Sequence, residues 1–151
     1  MCRRTRVMVV ASGGGHWSQM LRLRPAFDGL DVFYVGVKSM YRSDVAPADF
    51  YAVRDVSRLH KWALFATVAR LLWIVLRERP AVVITTGSAP GLLALRLGKL
   101  FGARCAWIDS IANVDQVSLS GRQAGKVADL WLTQWEHLSR PNGPRYEGSV
   151  L

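Results

Sequence analysis

Cysteine is scarce in this chain: Cys2 and Cys105 are the only two in 151 residues, and they lie far apart. With no CxxC pair and no cysteine–histidine cluster, zinc fingers and disulfide scaffolds are excluded, and the expectation is a cytosolic protein with reduced thiols. Acidic residues are also few, 11 against 20 Lys and Arg, for a net charge of +9. The excess is uneven: residues 1–79 carry 13 basic and 6 acidic side chains, residues 80–151 carry 7 and 5. Such a field favours anionic partners, whether nucleic acid, phosphorylated metabolites or an anionic membrane. The arginines are scattered singly and no nucleic-acid-binding motif is present, so nucleic acid is not expected. Long apolar runs are missing too. The stretch Trp62–Leu76 reaches about 22 Å as a helix, short of the roughly 30 Å hydrocarbon core. No transmembrane helix is expected, and the opening MCRRTRV leads into a run too short and too β-branched for a secretory signal.

What is present is enough apolar sequence for one core, with 50% hydrophobic and 21% charged residues, and no repeat, linker or low-complexity tract. Val7–Ala11 is a continuous apolar run closed by glycines, the pattern of a buried parallel strand. A helix over Trp17–Phe27 follows, then strands over Asp31–Val37 and, more weakly, Phe50–Val53. His60–Arg79 reads as a long helix stopped by Pro80, Ala81–Thr86 as a strand, Pro90–Phe101 as a helix and Arg104–Asp109 as a strand. A short helix over Leu119–Val127 precedes the strand Leu130–Gln134, and Val150-Leu151 either adds a last short strand or packs on the surface. Strands alternating with helices in this way predict a single α/β domain over residues 1–151, a Rossmann-like, doubly wound and mostly parallel sheet. Six strands make a complete half of a two-domain enzyme, because ligands on such sheets lie in a crevice against a second body.

Three loops follow strands and therefore meet at one sheet edge. The first is Ser12-Gly13-Gly14-Gly15-His16. Glycines let the backbone approach a ligand, and the amides at a helix start attract phosphate. A tight turn explains one or two of these glycines on its own. His16, at the head of the helix, is either a capping or packing residue or a general base and hydrogen-bond donor. The run is not GxGxxG and no ribose-binding acid follows, so a nucleotide-dependent oxidoreductase is not expected. The second loop, Thr86-Gly87-Ser88-Ala89-Pro90-Gly91, is a second phosphate-facing turn or a plain strand-to-helix turn with proline near the first helical position. At the third, Asp109 with Ser110 either caps a turn or orients a hydroxyl and takes its proton. The helix over 60–79 aligns Trp62 and Trp73 on one line, with Phe65 beside them and Arg58, Arg70 and Arg77 at the margins. That suits an interfacial helix on anionic lipid as well as a core helix, and both hold if it has two faces.

VASGGGHWSQMLRL (Val10–Leu23), TTGSAPG (Thr85–Gly91) and WIDSIANVDQVSLSGRQAGKVADLWLTQWEHL (Trp107–Leu138) resemble the PssD-type polysaccharide biosynthesis family. That family is similar to the membrane-anchoring subunit of the eukaryotic transferase making dolichyl-diphosphate-chitobiose, and more distantly to the N-terminal half of MurG. The resemblance implies the N-terminal, acceptor-side half of a GT-B glycosyltransferase divided between two polypeptides, inactive without its partner. The partner would grip the nucleotide-sugar donor, and the acceptor would be a polyprenyl-diphosphate-linked sugar. Attachment would be peripheral, at the cytoplasmic face of the membrane. Transfer would proceed by direct displacement with inversion and with no metal or cofactor required. Ser12, Gly13, Gly14, Gly15, Thr86, Gly87, Ser88 and Ser110 would bind acceptor and phosphate, with His16 and Asp109 as catalytic groups. Relatives often carry glutamate at the position of Asp109, which leaves base, base-orienter or hydroxyl clamp as its role. The alternative is a membrane-associated scaffold that recruits a catalytic partner.

Overall fold

A computed structural model describes residues 5–56 and 61–150. Cys2, Arg58, the His60 start of the long helix and Leu151 lie outside the described residues. Seven strands form one sheet: β1 (Arg6–Val10), β2 (Asp31–Gly36), β3 (Asp49–Ala52), β4 (Val82–Thr85), β5 (Arg104–Ile108), β6 (Leu130–Thr133) and β7 (Arg145–Tyr146). Their order is β3-β2-β1-β4-β5-β6-β7 and every neighbouring pair is parallel. Five helices accompany them: α1 (Gly15–Leu23), α2 (Arg42–Val45), α3 (Lys61–Glu78), α4 (Ser88–Leu100) and α5 (Leu119–Ala124).

The alternation of side chains along β1 divides the core into two layers. Met8 and Val10 pack with Phe33, Val35, Leu71, Ile74, Leu95 and Trp107 beneath α3 and α4. Val7 and Val9 pack on the other face with Trp17, Met20, Tyr34 and Phe50, beneath α1. Both sheet faces are thus covered, which is why the strands read as unbroken apolar runs.

The chain runs outward from β1 to β3, then returns to set β4 on the other side of β1. That reversal is the topological switch point, and the loops after β1 and β4 flank it.

Several boundaries shift by a few residues from expectation, and two of the departures have a physical reason. The first helix ends at Leu23 and continues as a 3₁₀ turn over Arg24–Phe27, since Pro25 has no N–H to extend the helix. Val150 adds no strand, one of its two expected outcomes; the last strand among the described residues is Arg145–Tyr146. Both its residues are exposed, so no apolar alternation marks it in sequence. Val150 instead donates its N–H to Gln134 Oε1 (3.0 Å), while its carbonyl accepts from Arg22 (3.0 Å).

At the opposite edge, Arg6 holds the starts of the strands together. Its guanidinium pairs with Asp31 (2.6 Å), Asp49 (3.0 Å) and Glu78 (2.5 Å), the last at the end of α3. Tyr51 donates its hydroxyl proton to Glu78 as well. Burial raises the Glu78 carboxyl, but the hydrogen bonds from Tyr51 and Arg6 outweigh it and leave its pKa below the usual carboxylate value. A depressed folded-state pKa stabilises the fold above the unfolded-state pKa, and that stabilisation is lost as pH falls through the folded-state value. Thermal melts across this acidic window should therefore show Tm falling with pH, with a shallower fall for Glu78→Gln; identical slopes would disprove the assignment.

Candidate functional site

The first loop is exposed where it enters the first helix. Gly14 is in the left-handed region (φ 62°) and precedes α1, which has no side-chain cap. Gly14 and Gly15 are exposed, and a Cβ added at either would meet nothing within 4 Å. The positive end of the helix is therefore uncapped by any side chain at its first residue. Ser12, two residues before Gly14, is buried.

The second loop closes onto the first through two reciprocal hydrogen bonds. His16 Nδ1 lies 2.8 Å from the Thr86 carbonyl, and Thr86 Oγ1 donates to the His16 carbonyl at 2.8 Å. A carbonyl only accepts, so Nδ1 carries a proton, and of the two neutral tautomers only the one with its lone pair on Nε2 fits this contact. Nε2 has no partner among the described residues.

Gly87 makes this approach possible: at φ 122°, a Cβ there would stand 2.6 Å from His16 Cε1. The turn is further pinned by Thr85 Oγ1, which accepts from the Gly87 N–H at 3.2 Å. A Cβ at Gly91 would sit 2.1 Å from that oxygen. Ser88 follows at φ 77°, and its Oγ is buried without a partner among the described residues. Backbone strain and an orphaned hydroxyl thus fall together in this loop.

Asp109 and Ser110 lie after β5, the neighbour of β4. Asp109 is 1% exposed. Its Oδ1 accepts from Ser118 Oγ (2.6 Å) and Trp107 Nε1 (3.1 Å), and its Oδ2 from Asn113 Nδ2 and the Ser118 N–H (both 3.1 Å). Four donors on two oxygens use the carboxylate's acceptor capacity, so in this arrangement Asp109 organises the loop it begins. Ser110 Oγ is likewise engaged, accepting from the Ala112 N–H at 3.2 Å. His16, not Asp109, presents the accessible lone pair.

Two residues that carried no signal in the sequence join the first loop. Tyr41 stacks on Trp17 (centroids 4.3 Å apart, planes 9°) and its Oη accepts the Gly14 N–H at 3.2 Å. Lys38 stands beside it, its Nζ 5.9 Å from the Tyr41 ring centroid, and its Cε would be 3.7 Å from a Cβ at Gly13. Lys38 makes no ion pair among the described residues. A lone lysine after a strand is indistinguishable in sequence from any solvated lysine, and only the fold returns it to the glycines.

The residues selected for membrane contact lie apart from these loops on α3. Thr67, Leu71, Ile74 and Val75 are its buried side. Trp62 (84% exposed), Phe65 (70%), Trp73 and Leu76 form the outward stripe. Arg70 and Arg77 place their guanidinium carbons 4.6 and 5.3 Å from the Trp73 ring centroid. The helix has both a core face and an apolar outer face. Among the described residues no helix is long and apolar enough to cross a membrane.

Comparison with solved structures gives the class. The chain superposes on MurG of Acinetobacter baumannii with a TM-score of 0.78 at 11% identity, covering 96% of this chain and 45% of that one. A UDP-N-acetylglucosamine 2-epimerase from Rickettsia bellii gives 0.72 at 12% identity, with 98% and 46% covered. The domain is a Rossmann-like, all-parallel α/β fold of the kind that forms the N-terminal half of GT-B glycosyltransferases, and it spans less than half the length of these structures.

The chain belongs to the Alg14-like family: the family described as "Oligosaccharide biosynthesis protein Alg14 like" matches residues 38–150. It is also 27% identical over 157 aligned positions to the UDP-N-acetylglucosamine transferase subunit ALG14 of Candida albicans, covering 86% of this chain and 70% of that protein.

Because Gly87 sits against the imidazole, Gly87→Ala should displace His16 and cost about 1–3 kcal/mol of stability through backbone strain. Tm together with the ring ¹⁵N signals of His16 would show it; an unchanged Nδ1–H signature would refute the packing described.

Proposed function

We propose that this chain is the acceptor-binding, membrane-associating subunit of a two-chain inverting glycosyltransferase. The single observation that carries the reading is the His16–Thr86 pair, which orients an Nε2 without a partner among the described residues beside the uncapped start of α1. Membership of a family that includes a UDP-N-acetylglucosamine transferase subunit supports a sugar-transfer role. That relative is named as a subunit, which supports a reading in which a second chain completes the transferase.

In this reading the diphosphate of a polyprenyl-diphosphate-linked sugar lies against the first-turn amides of α1, with Lys38 and the Tyr41 hydroxyl beside it. Gly13, Gly87 and Ser88 shape the same wall. The acceptor hydroxyl gives its proton to His16 Nε2 as its oxygen attacks the anomeric carbon of a UDP-sugar. The new glycosidic bond forms as the bond to UDP breaks, with inversion, and the partner half holds the leaving nucleotide. The Nδ1–H to Thr86 bond steadies the imidazolium that results. Asp109 acts as a positioning group and Ser110 as part of its loop.

The outer stripe of α3 rests on the membrane, aromatic rings at headgroup depth and Arg70 and Arg77 on anionic lipid. Because α3 follows β3, its first turn with Trp62 and Phe65 lies toward the strand ends that carry the loops. Trp73 and Arg77 continue the stripe toward the edge held by Arg6 and Glu78.

The test is transfer from UDP-N-acetylglucosamine and related donors to a polyprenyl-diphosphate-linked sugar, by the full chain alone and with a donor-half subunit from the same genome. Transfer is expected only with both chains. In that complex His16→Ala should lower kcat by about 10²-fold or more, and Lys38→Ala should raise the acceptor KM more than it lowers kcat. Full transfer by His16→Ala would favour the scaffold reading. Separately, co-sedimentation with anionic vesicles should weaken by roughly fivefold for each of Arg70→Ala and Arg77→Ala, and further for Trp62→Ser with Trp73→Ser. Binding indifferent to all four changes would remove α3 from the membrane contact.

A further inference from the structure

One buried side chain joins the helix bearing His16 to the loop begun by Asp109. Gln19 is 4% exposed and lies one turn beyond His16 on α1, so the two share a helix face. His16 reaches the β4 loop. Gln19 reaches the β5 loop, where its Nε2 donates to the Asp109 carbonyl at 3.2 Å and its Oε1 accepts the Ile111 N–H at 3.1 Å. The primary amide supplies both functions at once: a carboxylate keeps the acceptor and loses the donor, and a leucine loses both.

The rest of the loop is held in the same manner. The Ile111 carbonyl accepts from Trp135 Nε1 at 2.9 Å, and the Val114 carbonyl lies 2.7 Å from His137 Nε2. Asp109 takes Asn113 and Ser118 from within. Side chains of other elements thus grip the backbone from behind, while Val114, Asp115, Gln116 and Leu119 are exposed. Of these exposed side chains Gln116 is engaged, its Oε1 accepting from Arg122 at 2.7 Å.

We propose that Gln19 is a positioning residue of the transfer reaction, which locks the 110–118 loop in register with the His16 imidazole so that both address one acceptor. This rests on the reading of His16 as the base. Gln19 touches no substrate; it acts through the backbone of Asp109 and Ile111. A displacement near 1 Å between groups that must act together can cost about 10²-fold in rate, so the effect belongs in kcat and not in donor binding.

The experiment compares wild type, Gln19→Leu and Gln19→Glu, each as the full chain with its donor-half subunit. Amide hydrogen exchange and sugar transfer are measured on the same samples. For Gln19→Leu, exchange at Ile111 should rise by about tenfold or more and kcat should fall by roughly 10- to 100-fold, with the donor KM within about twofold. Gln19→Glu keeps the Ile111 contact and should be intermediate in both, so the series remains informative if the leucine variant does not fold. Unchanged exchange at Ile111, or kcat within about twofold of wild type in a folded variant with loosened exchange, would overturn the proposal. If the wild-type complex transfers no sugar, the proposed function fails. The positioning role falls with it, and exchange at Ile111 still reports whether the clamp exists.

Discussion

The adjacency of β1 and β4 is the constraint on which the rest depends. Their pairing, Val7 to Val82 through Val10 to Thr85, brings two loops separated by some seventy residues to the same height at the switch point. At that height His16 and Thr86 exchange hydrogen bonds in both directions. Neither loop alone could orient the imidazole: the first supplies the ring, the second supplies the carbonyl that selects its tautomer. The glycines follow from the same closeness. Gly87 is small because the ring lies on it, and Gly91 because Thr85 Oγ1 does, whereas a Cβ at Gly14 or Gly15 would meet nothing among the described residues within 4 Å. Glycine in the second loop accommodates the protein itself; in the first it leaves room for something else.

Polar satisfaction spreads outward from that pair. α1 is tied to the β4 loop by His16, to the β5 loop by Gln19, to the segment after β2 by Trp17 against Tyr41, and to Asp44 by the Trp17 indole N–H (2.9 Å). One nine-residue helix thereby registers the ends of β1, β2, β4 and β5. Asp109, buried and fully engaged, fixes the far side of this arrangement. Two buried side-chain atoms among the described residues stay unpaired, the Ser88 hydroxyl in the β4 loop and Trp131 Nε1 on β6.

α3 shows how one segment meets two demands. Its buried side is packed against the sheet, and its outer stripe carries tryptophans flanked by arginines. Composition alone could not decide between core helix and interfacial helix because both need apolar residues nearly all round; the packing shows one buried face and one exposed apolar face on the same helix.

The order of elements, the parallel sheet and the position of the glycine loops were legible in sequence, because each rests on local chemistry: apolar runs, glycines after strands, prolines at helix ends. His16 could be singled out for the same reason, standing at a strand-to-helix turn. The two-residue β7 was not legible, since an exposed edge strand has no periodicity to reveal it. Nor were Lys38, Tyr41 and Gln19, ordinary residues in sequence whose importance comes from what the fold sets beside them. Asp109 marks the boundary most clearly: its place at a strand end could be read from the chain, but whether its carboxylate meets solvent or four donors depends on Trp107, Asn113 and Ser118 closing around it. Local sequence determined where the chain turns and which residues could be chemical; tertiary structure decided which of them remain free to act, because hydrogen-bond capacity is consumed by neighbours that only folding brings together.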